Sequence, residues 1–124
     1  MALKPESRFI ATVHKKLPST IYREKTNNPF RSGMPDVYYE GSRGIAWVEY
    51  KYLAQARKHF TPALTKLQAL WLQRACTHNC TVAVIVGSPE GAMVLPGITG
   101  VETQVTAEWQ PIQNVVEWLT AAVS

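Results

Sequence analysis

The stretch DVYYEGSRGIAWVEYKY, residues 36–52, decides the fold. Two β-rich runs, Asp36–Glu40 and Ile45–Tyr52, flank Gly41-Ser42-Arg43-Gly44, and glycine at both ends of so short a connection predicts a hairpin. A two-residue turn at Ser42-Arg43 and a four-residue loop from Gly41 to Gly44 give the same register, in which Glu40 faces Ile45 and Asp36 faces Glu49. Directly opposed residues have Cβ atoms about 4.5–5.5 Å apart, and like charges there are destabilising. Two facing carboxylates therefore point to a bound cation. Lys51 lies two residues beyond Glu49, so strand alternation puts it on the same face. That strand is apolar on both faces, with Ala46, Val48 and Tyr50 on one and Ile45 and Trp47 beside Glu49 on the other. It is expected to be buried, and buried charges need partners.

Outward from the hairpin, the chain alternates helices with strands. Pro5 to Leu17 predicts a helix with Phe9, Ile10, Val13 and Leu17 on one apolar face, started by Pro5 and stopped by Pro18. Residues 18–35 are polar and carry turn chemistry throughout, so they are expected to be irregular. Thr61 is the expected N-cap of a second helix, with Pro62 at its first position and Leu64, Leu67, Leu70, Trp71 and Ala75 as its buried stripe. Thr81–Val86 and Ala92–Leu95 predict two more strands. Pro111–Val123 predicts a closing helix with Val115, Trp118 and Leu119 inward, and residues 96–110 have no clear assignment. The order α-β-β-α-β-β-α indicates a single α/β domain over residues 1–124, with helices flanking a central mixed sheet.

Two acids and a lysine at one end of a hairpin suit Mg²⁺. This ion takes oxygen ligands at about 2.0–2.1 Å, uses only one or two protein carboxylates and keeps waters at its other positions. Lys51 can orient or deprotonate such a water for attack on a phosphodiester. Glu6, on the first helix, can join the cluster from across the sheet.

Gly33-Met34-Pro35-Asp36, twelve intervening residues and Glu49-Tyr50-Lys51 resemble the signature of the PD-(D/E)XK nuclease superfamily. More narrowly they are similar to stand-alone VRR-NUC nucleases, and more distantly to Holliday-junction resolvases. The stretch from Leu64 to Leu72, followed by Thr81–Val86, resembles the glutamine-bearing helix and next strand of that family. The likeness covers about residues 5–96, although the chain has no Val-Arg-Arg run. It implies a restriction-endonuclease-like sandwich. It also implies Asp36 and Glu49 as metal ligands with the Tyr50 backbone carbonyl, Lys51 as the catalytic lysine, Gln68 near the scissile phosphate and Glu6 as a further acid. Mg²⁺ is the implied cofactor, with Mn²⁺ as a substitute, and a homodimer the implied assembly.

Charge agrees with a polyanionic partner. Residues 1–66 hold twelve of the thirteen Lys and Arg against five acids, a balance of +7, whereas in 67–124 Arg74 alone stands against four acids, −3. Phosphate contacts reward such clustering. Arg8, Lys15, Lys16, Arg31, Arg43, Arg57 and Lys58 are the candidate DNA contacts. His14 and His59 lie among these cations, where phosphate contact and plain solvation both fit. Cys76-Thr77-His78-Asn79-Cys80 offers three ligands where structural zinc takes four, so it is expected to be a helix end. Two cysteines exclude a disulfide framework, and no apolar run is long enough to cross a bilayer. The N-terminus lacks the long apolar stretch of a secretory signal, so a cytoplasmic location is expected.

The expected activity is Mg²⁺-dependent endonucleolytic hydrolysis of DNA. Without a helix-turn-helix or a zinc finger, structure-selective or non-specific cutting is favoured over base-sequence readout. The rival readings are a catalytically inactive nucleic-acid-binding module of the same fold and an RNA-processing nuclease.

Overall fold

The computed structural model of the chain describes residues 4–26, 33–99, 101 and 103–124. Helix α1 spans Pro5–Lys16 and is followed by strands β1 (Tyr22–Lys25), β2 (Val37–Gly41), β3 (Gly44–Tyr52) and β4 (His59–Phe60). Helix α2 (Lys66–Thr77), strands β5 (Thr81–Ser88), β6 (Gly91–Pro96) and β7 (Val105–Thr106), and helix α3 (Ile112–Val123) complete the chain. Five strands form one sheet in the order β1-β2-β3-β5-β6, and β4 pairs with β7 apart from it. Among the described residues only β3 and β5 run parallel, the crossover between them being α2; the other strand pairings are antiparallel. The expected mixed α/β sandwich is what forms.

The layers follow from side-chain alternation along the central strands. On one face of β3, Ala46, Val48 and Tyr50 are fully buried with Phe9, Ile10 and Val13 of α1 and Val115, Val116, Leu119 and Val123 of α3. On the other face Val82, Val84 and Val86 of β5 pack against Leu72 and Ala75 of α2, with Trp47 at the margin. Glu49 and Lys51 therefore belong to the α2 side, the more thinly covered of the two.

Three expectations need correction. Within the segment expected to be irregular, Tyr22–Lys25 forms an edge strand on β2. Its residues are mostly exposed, and a polar edge strand shows no hydrophobic alternation. The cap of α2 is Thr65 rather than Thr61: its hydroxyl accepts from the Gln68 N–H at 3.1 Å while Gln68 Oε1 accepts from the Thr65 N–H at 2.9 Å, a complete capping box. The buried stripe of α2 is Ala69, Leu72 and Ala75, and Leu67 and Leu70 are 53% and 50% exposed. Small residues on the inner face let the helix approach the β5 valines and turn the leucines outward. The segment without assignment contains β7, and Trp109 just beyond it stacks on Phe60 with ring centroids 5.8 Å apart. Trp118 is half-buried at the flank of α3.

Candidate active site

The β2–β3 register is the expected one: Val37 opposes Val48, Glu40 opposes Ile45 and Gly41 opposes Gly44. One step before the first of these pairs comes Asp36, opposite Glu49. Asp36 stands just outside the ladder, and its Oδ2 accepts from the Tyr50 N–H at 2.9 Å. The residue is fixed from the far side as well, since the Thr26 N–H donates to the Asp36 carbonyl at 2.9 Å and the Thr26 hydroxyl to the Pro35 carbonyl at 2.6 Å. The N–H and C=O of one strand residue point to the same edge. The Tyr50 carbonyl therefore faces the Asp36 side, past the end of the β2 ladder.

Glu49 is 3% exposed. Its Oε2 accepts from Gln68 Nε2 at 3.0 Å and lies 3.3 Å from Lys51 Nζ. Lys51 Nζ also donates to Gln68 Oε1 at 3.3 Å. Gln68 thus holds both members of the ion pair while its Oε1 caps its own helix. The second oxygen, Glu49 Oε1, is buried and has no hydrogen-bond partner among the described residues. An unsatisfied buried carboxylate oxygen is costly and calls for an explanation.

The electrostatics point the same way. Burial pushes the Glu49 carboxyl up to about 7, Asp36 adds to the rise and Lys51 opposes it. Glu6, in the first turn of α1, is also raised, first by its own burial and then by Asp36, with Lys51 lowering it. Three carboxyl groups on three elements therefore feel one another. Among the described residues no three His, Cys, Asp or Glu side chains converge closely enough to cage an ion by themselves. Two carboxylates and a main-chain carbonyl could serve a cation that keeps waters at its other positions, as Mg²⁺ does.

The expected phosphate contacts divide. Arg8 is exposed on the first turns of α1, the end that carries Glu6, and Arg57 and Lys58 are exposed in the segment that follows Lys51 out of β3. Lys15 and Lys16 end α1, and Arg43 is in the hairpin turn, where its N–H donates to the Val123 carbonyl at 2.8 Å. Six residues of strand separate Arg43 from Glu49, about 20 Å at ~3.3 Å per residue. The structure does not bring these three to the acidic cluster. Arg31 lies outside the described residues. His14 turns inward, its Nε2 2.7 Å from the Tyr39 hydroxyl, and burial with nearby Arg23 lowers its pKa to about 4. It is a core residue and no phosphate ligand.

Two residues that support the site had no role assigned from the sequence. Thr65 was legible in Thr65-x-x-Gln68, the capping-box spacing. Gly33 adopts φ +86°, and a Cβ there would stand 2.6 Å from the Leu67 carbonyl oxygen. Both the left-handed backbone and the close approach of α2 demand glycine. Gly33→Ala is expected to cost about 1–3 kcal/mol, read as a lower urea midpoint, because a backbone oxygen cannot step aside.

No protein-family model and no curated protein matches the sequence. Among solved structures, the Holliday junction resolvase Hjc of Archaeoglobus fulgidus, an archaeal hyperthermophile, superposes with a TM-score of 0.61 at 12% identity, over 92% of this chain and 96% of that one. At that identity the likeness is one of fold, and on it the chain has the resolvase and restriction-endonuclease-like fold.

Proposed function

We propose that the chain is a metal-dependent nuclease of the PD-(D/E)XK superfamily, in the VRR-NUC group, that hydrolyses phosphodiester bonds of branched DNA as a homodimer. The observation that carries this reading is the buried Glu49, paired on one oxygen with Lys51 and Gln68, bare on the other, and opposite Asp36. A retired site would have no use for that arrangement. The fold shared with a protein named as a Holliday junction resolvase favours a four-way junction as the substrate.

Asp36, Glu49 and the Tyr50 carbonyl would hold Mg²⁺, with Mn²⁺ as a substitute. Such a cation supplies a water of lowered pKa and offsets the charge that grows on the phosphate oxygens. Lys51 orients the attacking water in line with the leaving oxygen, and its charge favours passage of the water's proton to solvent. Gln68 keeps Lys51 and Glu49 in register, and Glu6 adds negative potential at the rim. Arg8, Arg57 and Lys58, all exposed, would meet the DNA backbone.

The test is cleavage of supercoiled plasmid, single strands, flaps, four-way junctions and a structured RNA with Mg²⁺, Mn²⁺ or EDTA. Metal-dependent cutting that favours junctions is expected. Lys51→Ala should lower it about 10²–10³-fold with the melting curve preserved, the range for loss of one preorganised charge or donor at the reacting centre. Cutting that survives EDTA, or binding without cutting under every metal, overturns the reading and leaves a binding module.

A further inference from the structure

The end of β3 carries a second feature beside the acids. Strand alternation sends Lys51 to the α2 side and Tyr52 to the α1 side, where the Tyr52 ring packs on Phe9 with centroids 6.1 Å apart. Phe9 in turn lies on Gly87, the parallel partner of Tyr52, and a Cβ there would stand 2.8 Å from the Phe9 ring. The Leu53 N–H closes the ladder on the Gly87 carbonyl at 2.8 Å. This fixed wall is one side of a cavity of about 270 Å³, whose other side is Ala54, Gln55 and Arg57, all exposed.

Shape and charge identify the ligand. The volume falls below the roughly 300–1,000 Å³ of sites for drug-sized molecules and suits a single ring system. An aromatic face, an exposed amide and a guanidinium are the groups that stack on a nucleobase, bond its edge and meet its phosphate. No acid lines this cavity, whereas two larger ones contain Glu117, between α1 and α3, and Glu108, beside β6. Among the described residues the one ion pair is Glu49–Lys51, so no carboxylate neutralises Arg57. Tyr52 and Lys51 have Cα atoms about 3.8 Å apart, which brings the nucleotide next to a phosphate at Lys51 within reach of the cavity. A pocket of this size admits a base only once it has left the duplex stack.

We propose that this cavity holds an unpaired nucleobase beside the scissile phosphate, stacked on Tyr52 and bonded by Gln55, with Arg57 on the adjoining phosphate. The proposal rests on the nuclease reading and narrows its substrate to DNA with an unpaired or extruded nucleotide next to the cut. Base capture is read by binding without metal, so the two readings fail separately. Base preference without cleavage under any metal removes the nuclease, and cleavage without base preference removes the pocket. Fluorescence anisotropy of the full chain in EDTA compares three labelled duplexes: intact, with one unpaired thymidine, and with an abasic residue in its place. The thymidine bulge should bind about tenfold tighter than the abasic one, a gain within the range for one stacked base. Tyr52→Leu should erase that gain and leave affinity for the abasic duplex unchanged. Gln55→Ala, at an exposed position, should reduce the gain with the melting curve unchanged. Equal affinity for the thymidine and abasic bulges overturns the proposal, as does a preference that both variants retain.

Discussion

Exchanging Glu49 for glutamine is expected to abolish cleavage, by at least about 10³-fold, and at the same time to stabilise the metal-free protein at neutral and alkaline pH. The two effects share one cause. Glu49 is buried, faces Asp36, and is raised from 4.5 to about 7 in the folded chain. Its folded pKa lies above its unfolded one, so it contributes stability below pH 4.5 that is lost as pH rises through 7. A shift of that size corresponds to a cost on the order of 3 kcal/mol once the group is ionised. Glutamine keeps an acceptor for Gln68 and removes the charge, while Lys51, 21% exposed, stays solvated. Thermal melts from pH 5 to 8 should therefore separate the two proteins progressively, the variant melting higher at pH 8. Added Mg²⁺ should raise the wild-type melting temperature and leave the variant's unchanged, because only a protein that binds the ion gains from it. A variant that cuts normally, or melts lower than wild type at pH 8, removes Glu49 from the centre of the site.

Much of this architecture was legible because it rests on short-range rules. The turn between Gly41 and Gly44 sets the β2–β3 register, and register alone brings Asp36, Glu49 and Lys51 together. The apolar period of α1 likewise names its own buried face, and the unbroken apolar run of β5 marks a strand buried on both sides. What the residues did not disclose depends on tertiary contacts. Either Leu67 with Leu70 or Ala69 with Leu72 can line a helical face. The larger pair looked like core, but the closeness of α2 to β5 selects the smaller residues and leaves the leucines outside. Strand β1 exists because β2 offers it a partner, and nothing in Tyr-Arg-Glu-Lys announces that. The clustered cations of residues 1–66 proved to be spread over both ends of the molecule, so a net charge of +7 overstated the basic surface at the site. His14, read among lysines, points the other way: it is half-buried beside the inward face of Ile10, Val13 and Leu17, and its ring meets the Tyr39 hydroxyl.

That inward histidine leads to the largest expected loss of stability from a single atom. Tyr39→Phe should lower stability by about 2–5 kcal/mol, a drop of about 10–20 °C in melting temperature for a chain of this length. The Tyr39 hydroxyl lies 2.7 Å from His14 Nε2 and 2.6 Å from the Tyr50 hydroxyl, and both tyrosines are fully buried. Counting hydrogens gives the chain a direction. If His14 donated to Tyr39, and Tyr39 to Tyr50, the Tyr50 hydrogen would be left in the core with no acceptor. The run Tyr50 to Tyr39 to His14, ending on a neutral imidazole nitrogen, satisfies every member. It needs a neutral His14, since an imidazolium has no lone pair to accept with, and burial first, then Arg23 and Lys25, lower the His14 pKa to about 4. With a folded pKa below its unfolded one, His14 contributes stability above pH 6.5 that is lost as pH falls toward 4, the reverse of the Glu49 slope. Tyr39→Phe leaves two buried polar groups without partners, whereas Tyr50→Phe leaves Tyr39 its bond to His14 and should cost less. The double variant should cost less than the two single ones added together, because the second change removes a group that the first had already orphaned. Urea titration of the three variants measures that coupling. Additive losses would mean that the hydroxyls act separately, and that nothing ties the α1 face of the sheet to the strand whose main chain holds Asp36.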